Sequence, residues 1–256
     1  MLPLSLRFYV ALVAIFLLFP LIIVIAVSAD PGRYIVFPPT GFSIKWYLSM
    51  WSDETIVLAM RNSLIVGLSS SAIAAVVAVP AALNIARRSD GGGLLYSLIL
   101  APFTIPWIVY GLALLFFWGA ADLNLSIWTL ILGHTVIAIP YVMRVTVAVL
   151  RTMPASLGKA ARNLGASPAK AFWYVTLPYI RGGVLAGTSF AFIVSFTNIP
   201  VSLFVTTAEN VTLPIAIFNY MVNNFEPVVA AVSVVQVILI LCVLFSARRF
   251  INIDGH

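Results

Sequence analysis

The sequence predicts an all-α polytopic membrane protein with six transmembrane helices, and three observations carry that prediction. Hydrophobic types make up 62% of the 256 residues and charged types 9%, against about 45–50% and about 25% in soluble domains. Six stretches between charged residues each hold 21 or more uncharged positions, and roughly 20 apolar residues are needed to cross about 30 Å of hydrocarbon. Lys and Arg then divide unequally between the loops, as they do when one side of a bilayer is cytoplasmic. The same composition excludes disorder, and a single cysteine, Cys242, excludes a disulfide scaffold. The net charge of +6 marks one side of a membrane, not a nucleic-acid partner.

The spans are predicted near 8–28, 62–86, 94–118, 124–147, 183–206 and 228–247, within one transmembrane domain over 1–256. Each is rich in Leu, Ile, Val, Ala and Phe, without the alternation of a barrel strand. Val27-Ser28-Ala29 looks like a signal cleavage site. The apolar run before it is longer than a signal core of about 7–15 residues, and its removal would leave an odd number of spans, so it is read as a span. The outer loop that follows has turn residues at Pro31-Gly32, Pro38-Pro39 and Gly41. The aromatic stretch Phe42–Tyr47 then predicts a short helix at headgroup level. Arg87–Gly93 reads as a tight, flexible inner connector. The gap between Glu209 and Glu226 is too short to span, and Thr212–Asn224 within it predicts an interfacial or re-entrant helix.

With both termini on one side, that side receives Arg7, Arg87, Arg88, Arg151, Lys159, Arg162, Lys170, Arg181, Arg248 and Arg249. The other receives Arg33, Lys45 and Arg61. Both termini are therefore expected in the cytoplasm.

The inner segment 151–181 is the longest cytoplasmic connection and the most organised. Ser156 is placed to cap a helix over Leu157–Leu164, and Gly165 stands where a left-handed C-terminal cap is wanted. Ser167-Pro168 supplies a second cap and a first-turn proline. A second short helix is expected over Ala169–Thr176 until Pro178 ends it. Two capped helices exceed what a plain reversal of direction needs.

Lys159-Ala160-Ala161, three residues, Gly165, nine residues, then Val175-x-Leu177-Pro178 resemble the EAA loop of permease subunits of ATP-binding-cassette (ABC) importers. That family's pattern is Glu-Ala-Ala, three residues, Gly, nine residues, Ile-x-Leu-Pro. Every spacing agrees, Val175 is a mild change, and Lys159 reverses the charge of the family's Glu. Gly41-Phe42-Ser43-x-x-Trp46-Tyr47, Asn62-Ser63 and Thr212-Leu213-Pro214 extend the similarity to permease subunits of the spermidine/putrescine type.

The resemblance implies the type I importer permease (MetI-like) fold in the bacterial inner membrane. It implies one half of a pathway for a small polar organic solute, an amino-acid derivative or polyamine-like. The implied partners are a cytoplasmic ABC ATPase dimer, a second homologous permease subunit and an extracytoplasmic solute-binding protein, besides membrane lipid. The coupling residues it implies are Lys159, Ala160, Ala161, Gly165, Leu177 and Pro178. Small side chains there allow close approach to a groove on the ATPase. An exposed ion pair is worth only about 0–1 kcal/mol, so this small-residue core, not the charge at 159, is expected to carry the coupling. No cofactor is expected in this chain, because its only Gly-Lys pair, Gly158-Lys159, lacks the spacing of a phosphate loop. ATP and Mg belong to the partner.

Polar groups inside spans are costly and mark candidate path residues. Span three offers Trp107 and Tyr110 beside Pro102 and Pro106, a stretch expected to kink. Span four offers His134 and Thr135, with His134 facing either a neighbouring helix or solute. Span five offers Ser195, Thr197 and Asn198 before Pro200, where a broken helix frees backbone groups. The short outer helix adds Asn219 and Tyr220. Related polyamine permeases carry an acidic pair where this chain has Thr197 and Asn198, which favours a neutral, zwitterionic or anionic solute. An ion-coupled secondary carrier is the alternative, but the intramembrane acids and inverted repeat that mark one are not seen. No catalytic set or metal-ligand spacing points to an enzyme.

Overall fold

The computed structural model describes residues 3–88, 93–223 and 226–251. Residues 89–92 of the predicted connector Arg87–Gly93 and the tail 252–256 lie outside the described residues. Every regular element among the described residues is helical. They are α1 Leu4–Ser28, α2 Lys45–Ser52, α3 Glu54–Arg87, α4 Gly93–Leu100, α5 Trp107–Ala120, α6 Ile127–Thr152, α7 Ala155–Asn163, α8 Pro168–Ala171, α9 Leu177–Phe196, α10 Ser202–Val205, α11 Leu213–Asn223 and α12 Val228–Ile251.

Among the described residues, five continuous helical stretches are long and apolar enough to cross a membrane: Leu4–Ser28, Glu54–Arg87, Ile127–Thr152, Pro168–Phe196 and Val228–Arg248. The predicted third span is the exception. Gly93–Phe103 and Trp107–Ala120 form a pair bent by 97°, and α5 alone, at about 1.5 Å per residue, is some 21 Å long. Pro20, Pro80 and Pro140 are each accommodated inside a helix. Pro102 and Pro106 stand four residues apart, so two successive turns each lose an N–H donor and the helix breaks instead of kinking. The fifth span is also displaced from 183–206: its helical stretch begins at Pro168 and ends at Phe196.

The chain divides into two compact units. One comprises Met1–Val57 with Ala216–Ile240. Here α1 is apolar on every face and exposed along most of its length, the pattern of a helix solvated by lipid. Asp30, just beyond α1, ties down the outer loop. Its carboxylate accepts from Gly32 N at 2.6 Å, Thr40 N at 3.0 Å and Thr40 Oγ1 at 2.8 Å. Trp46 Nε1 donates to the Asp30 carbonyl at 2.9 Å, and Ser28 Oγ meets Tyr47 Oη at 2.6 Å. The backbone donors at Gly32 and Thr40 hold the Asp30 carboxyl below its usual value. The outer helix starts at Lys45, not Phe42, because Ser43 N–H donates to the Ala29 carbonyl at 2.7 Å and keeps that stretch in the loop. α11 matches the predicted short outer helix.

The other unit comprises Leu58–Ile215 with Leu241–His256. Its core joins Ala74, Ala78, Ala82 and Ile85 of α3 to Ala138, Val142, Met143 and Val147 of α6 and Ala191 of α9. The α3 positions recur every three or four residues and so share one face. Between helices in lipid there is little hydrophobic driving force, and close van der Waals packing replaces it. Alanine at these positions lets the backbones approach, and α6 packs along α9.

Candidate functional site

Two features of the second unit concentrate the polar and unpacked groups: a break in the fifth span and a hairpin before it. α9 ends at Phe196 and α10 restarts at Ser202. Pro200 has no N–H to continue the ladder. Asn198 shapes the turn, its Oδ1 accepting from Val201 N at 2.9 Å.

His134 of α6 is wholly buried and staples the two sides of this break. Its Nδ1 lies 2.8 Å from Ser195 Oγ on α9, and its Nε2 lies 3.1 Å from Ser202 Oγ on α10. Ser195 Oγ is also 3.0 Å from Ser70 Oγ of α3, and Ser70 Oγ is 2.6 Å from the Val66 carbonyl. Ser70 Oγ donates to Ser195 Oγ, and Ser195 and Ser202 between them hold both ring nitrogens of His134.

α5 lies directly against the break. A Cβ on Gly111 would fall 2.8 Å from the Pro200 carbonyl oxygen, so only glycine permits the approach. Tyr110 Oη donates to the Gly133 carbonyl at 3.0 Å and joins α5 to α6. Trp107 is half-buried in the first turn of α5. Thr197 is exposed, with Oγ1 bonded to the Ile193 carbonyl at 2.8 Å. Asn198 is 2% exposed, and its Nδ2 has no hydrogen-bond partner.

The structure thus unites His134 and Ser195 and sets Thr197 and Asn198 in the same break. Tyr110 and Trp107 lie on the helix beside it. Thr135 turns back onto its own helix, to the Ile131 carbonyl at 2.7 Å. Asn219 and Tyr220 belong to the other unit, where Tyr220 Oη donates to the Asp53 carboxylate. Ser70 and Ser202 do not stand out in the sequence as members of this cluster. The run Ser69-Ser70-Ser71 inside a span is the signal that points to the first, since hydroxyls in lipid need partners.

The inner hairpin is built by its caps. Gly165 has φ +86°; Gly165 N donates to the Arg162 carbonyl at 2.9 Å and Ala166 N to the Ala161 carbonyl at 3.0 Å, the two bonds of a Schellman turn. Ser167 Oγ then accepts from Lys170 N at 3.3 Å, and Pro168 opens α8. Two expectations change. α7 starts at Ala155 after Pro154, so Ser156 lies inside the helix and caps nothing. Pro178 does not end a short helix. Residues Phe172–Thr176 form a π turn, in which Leu177 N bonds the Phe172 carbonyl, and the helix runs on into α9. The wider turn accommodates the proline ring and its missing donor. Leu177 and Pro178 therefore form the first turn of α9, within the continuous stretch of the fifth span. Lys159, Ala160 and Gly165 are exposed and Ala161 is half-buried.

These elements recur in known proteins. Residues 74–252 match the family model of the binding-protein-dependent transport system inner membrane component, and the chain belongs to that family. It is 25% identical over 242 residues to the spermidine/putrescine transport system permease protein PotC of Haemophilus influenzae, covering 94% of each chain. It is 28% identical to the putrescine transport system permease protein PotI of Escherichia coli K12, over 85% of this chain and 80% of that one. It is 30% identical to the molybdenum transport system permease protein ModB of Mycobacterium bovis, over 79% and 82%. The fold matches a bacterial ABC transporter involved in the import of the acidic polysaccharide alginate, with a TM-score of 0.71 at 16% identity over 98% and 99% of the two chains. The methionine transporter MetNI in an inward-facing conformation gives 0.66 at 20% identity, over 80% and 97%. This chain is a multi-pass inner-membrane permease subunit of an ABC importer, not an enzyme.

Proposed function

We propose that this subunit forms half of the path for a small polar organic solute of neutral, zwitterionic or anionic character, with an amino-acid derivative as the model case. The carrying observation is the break at Thr197–Asn198. It is neutral, and the buried Asn198 Nδ2 is a hydrogen-bond donor without an acceptor. A solute carboxylate or carbonyl complements such a donor, whereas a polycation needs carboxylates or aromatic faces. His134 and Ser195 serve this site by fixing the turn. The relatives' names favour a polyamine-like cargo as the second reading.

The hairpin Ala155–Leu177 is the element that receives closure of a cytoplasmic ATPase dimer, which binds ATP and Mg. A second homologous permease subunit completes the path, and an extracytoplasmic binding protein delivers solute. Both termini lie in the cytoplasm, so the hairpin faces the ATPase. The π turn joins it to α9 without a flexible linker, so displacement of α7 is passed to the span that carries the break.

Uptake into proteoliposomes containing the whole importer, with competing solutes, tests the substrate reading. Competition by amino-acid derivatives but not by spermidine is expected, and Asn198→Asp should shift the preference toward cations. Saturable spermidine uptake that ignores those competitors would establish the second reading instead.

A further inference from the structure

α7 carries its charge where a partner would sit. Successive residues on a helix are turned by about 100°, and Gly158 and Ala161 are its half-buried positions, so they mark the side packed on α8 and the π turn. Ser156, Lys159, Ala160 and Asn163 lie on the side turned away, and all are exposed. Lys159 therefore stands on the free face, about 50° from the midline that runs through Ser156 and Asn163. Arg162 is exposed beside it, and no acidic residue occurs between Asp122 and Glu209 to neutralise either. Leu164, at the turn beyond α7, is 89% exposed, and the fold gives that side chain no internal role.

We propose that the surface receiving α7 presents a carboxylate opposite Lys159 and an apolar socket for Leu164, so that Lys159 selects the cognate ATPase. The proposal rests on the coupling role given above and adds the chemistry of the partner. An unpaired lysine within a desolvated contact is costly, and complementary charge chiefly sets which partners are accepted. The inner leaflet is the weaker occupant. Membrane-surface helices turn bulky Trp, Phe or Leu toward lipid, whereas this free face carries Ser156, Lys159, Ala160 and Asn163, with no bulky apolar side chain among them. The role assigned to Lys159 is partner choice; the small residues still carry the coupling.

The test co-expresses the tagged permease and its cognate ATPase and recovers the complex in nanodiscs of zwitterionic lipid across a salt series. Wild type should retain the ATPase, less at high salt. Lys159→Glu should lower retention about tenfold, and a Lys replacing the facing carboxylate on the ATPase should restore it. Leu164→Ala should weaken retention equally at every salt concentration. Lys159→Ala, which introduces no new charge, guards against misfolding and should show an intermediate loss with a flatter salt dependence. Unchanged retention and salt dependence in both Lys159 variants would overturn the proposal while leaving the coupling role intact. So would a loss confined to anionic nanodiscs, which would make lipid the occupant. A wild-type complex without ATPase would overturn the coupling role itself, and this proposal with it.

Discussion

His134 joins the two sides of the break in the fifth span from a wholly buried position. It bonds at both ring nitrogens, so its removal orphans the Ser202 hydroxyl and leaves Ser195 with Ser70 alone. His134→Ala should destabilise the subunit by about 1–2 kcal/mol, seen as an earlier thermal transition in detergent. If the staple positions the site, the same variant should raise the apparent KM for solute more than it lowers the maximal uptake rate. His134→Gln, which can reach one serine, should recover part of that KM. Equal loss from both variants with KM unchanged would assign the residue to packing alone. Asp30 gives a prediction in pH. Its folded carboxyl is held below the usual carboxylate range, so its stabilising effect is fully present above that range. It is lost as pH falls through the lowered folded value. Asp30→Asn should therefore reduce stability at neutral pH and remove part of the acid sensitivity of the outer loop, measured as proteolytic nicking between residues 31 and 44.

Among elements, the hairpin is the most legible in the sequence, because its turn depends on local chemistry. Gly165, Ser167 and Pro168 each do what their side chains or backbones favour. The departures lie at prolines, whose effect depends on surroundings that one sequence does not display. Pro178 reads as a stop until the π turn before it supplies the room, and Pro102 with Pro106 breaks a helix that either alone would bend. The polar cluster is half legible. His134 and Ser195 are conspicuous in apolar spans, but their pairing with Ser70 and Ser202 depends on which helix faces pack. Gly165 has open space around its Cβ position, so substitutions there test φ and nothing else. Gly165→Val should cost about 1–3 kcal/mol in the turn, whereas Gly165→Asn should cost much less because Asn enters the left-handed region readily. Amide exchange at residues 163–167 would register the difference, with Val fast and Asn near wild type.

At the scale of the whole molecule, the number of apolar stretches and the charge asymmetry of the loops between them suffice to specify the membrane class. A reporter that fluoresces only in the cytoplasm, fused after the last residue, should be bright, and a periplasm-active phosphatase fused after Ser52 should be active. The reverse pattern would invert the topology and place the hairpin where no ATPase could reach it. In the proposed function the hairpin couples a separate ATPase to movement of the spans. The most direct measurement is ATP hydrolysis by the reconstituted importer with its binding protein, with and without solute, comparing wild type with Gly165→Pro. Solute-loaded binding protein should stimulate the wild type, while the variant should assemble but lose both stimulation and uptake. Full stimulation and uptake by the variant, or uptake driven by an ion gradient in the absence of ATP, would contradict this coupling role.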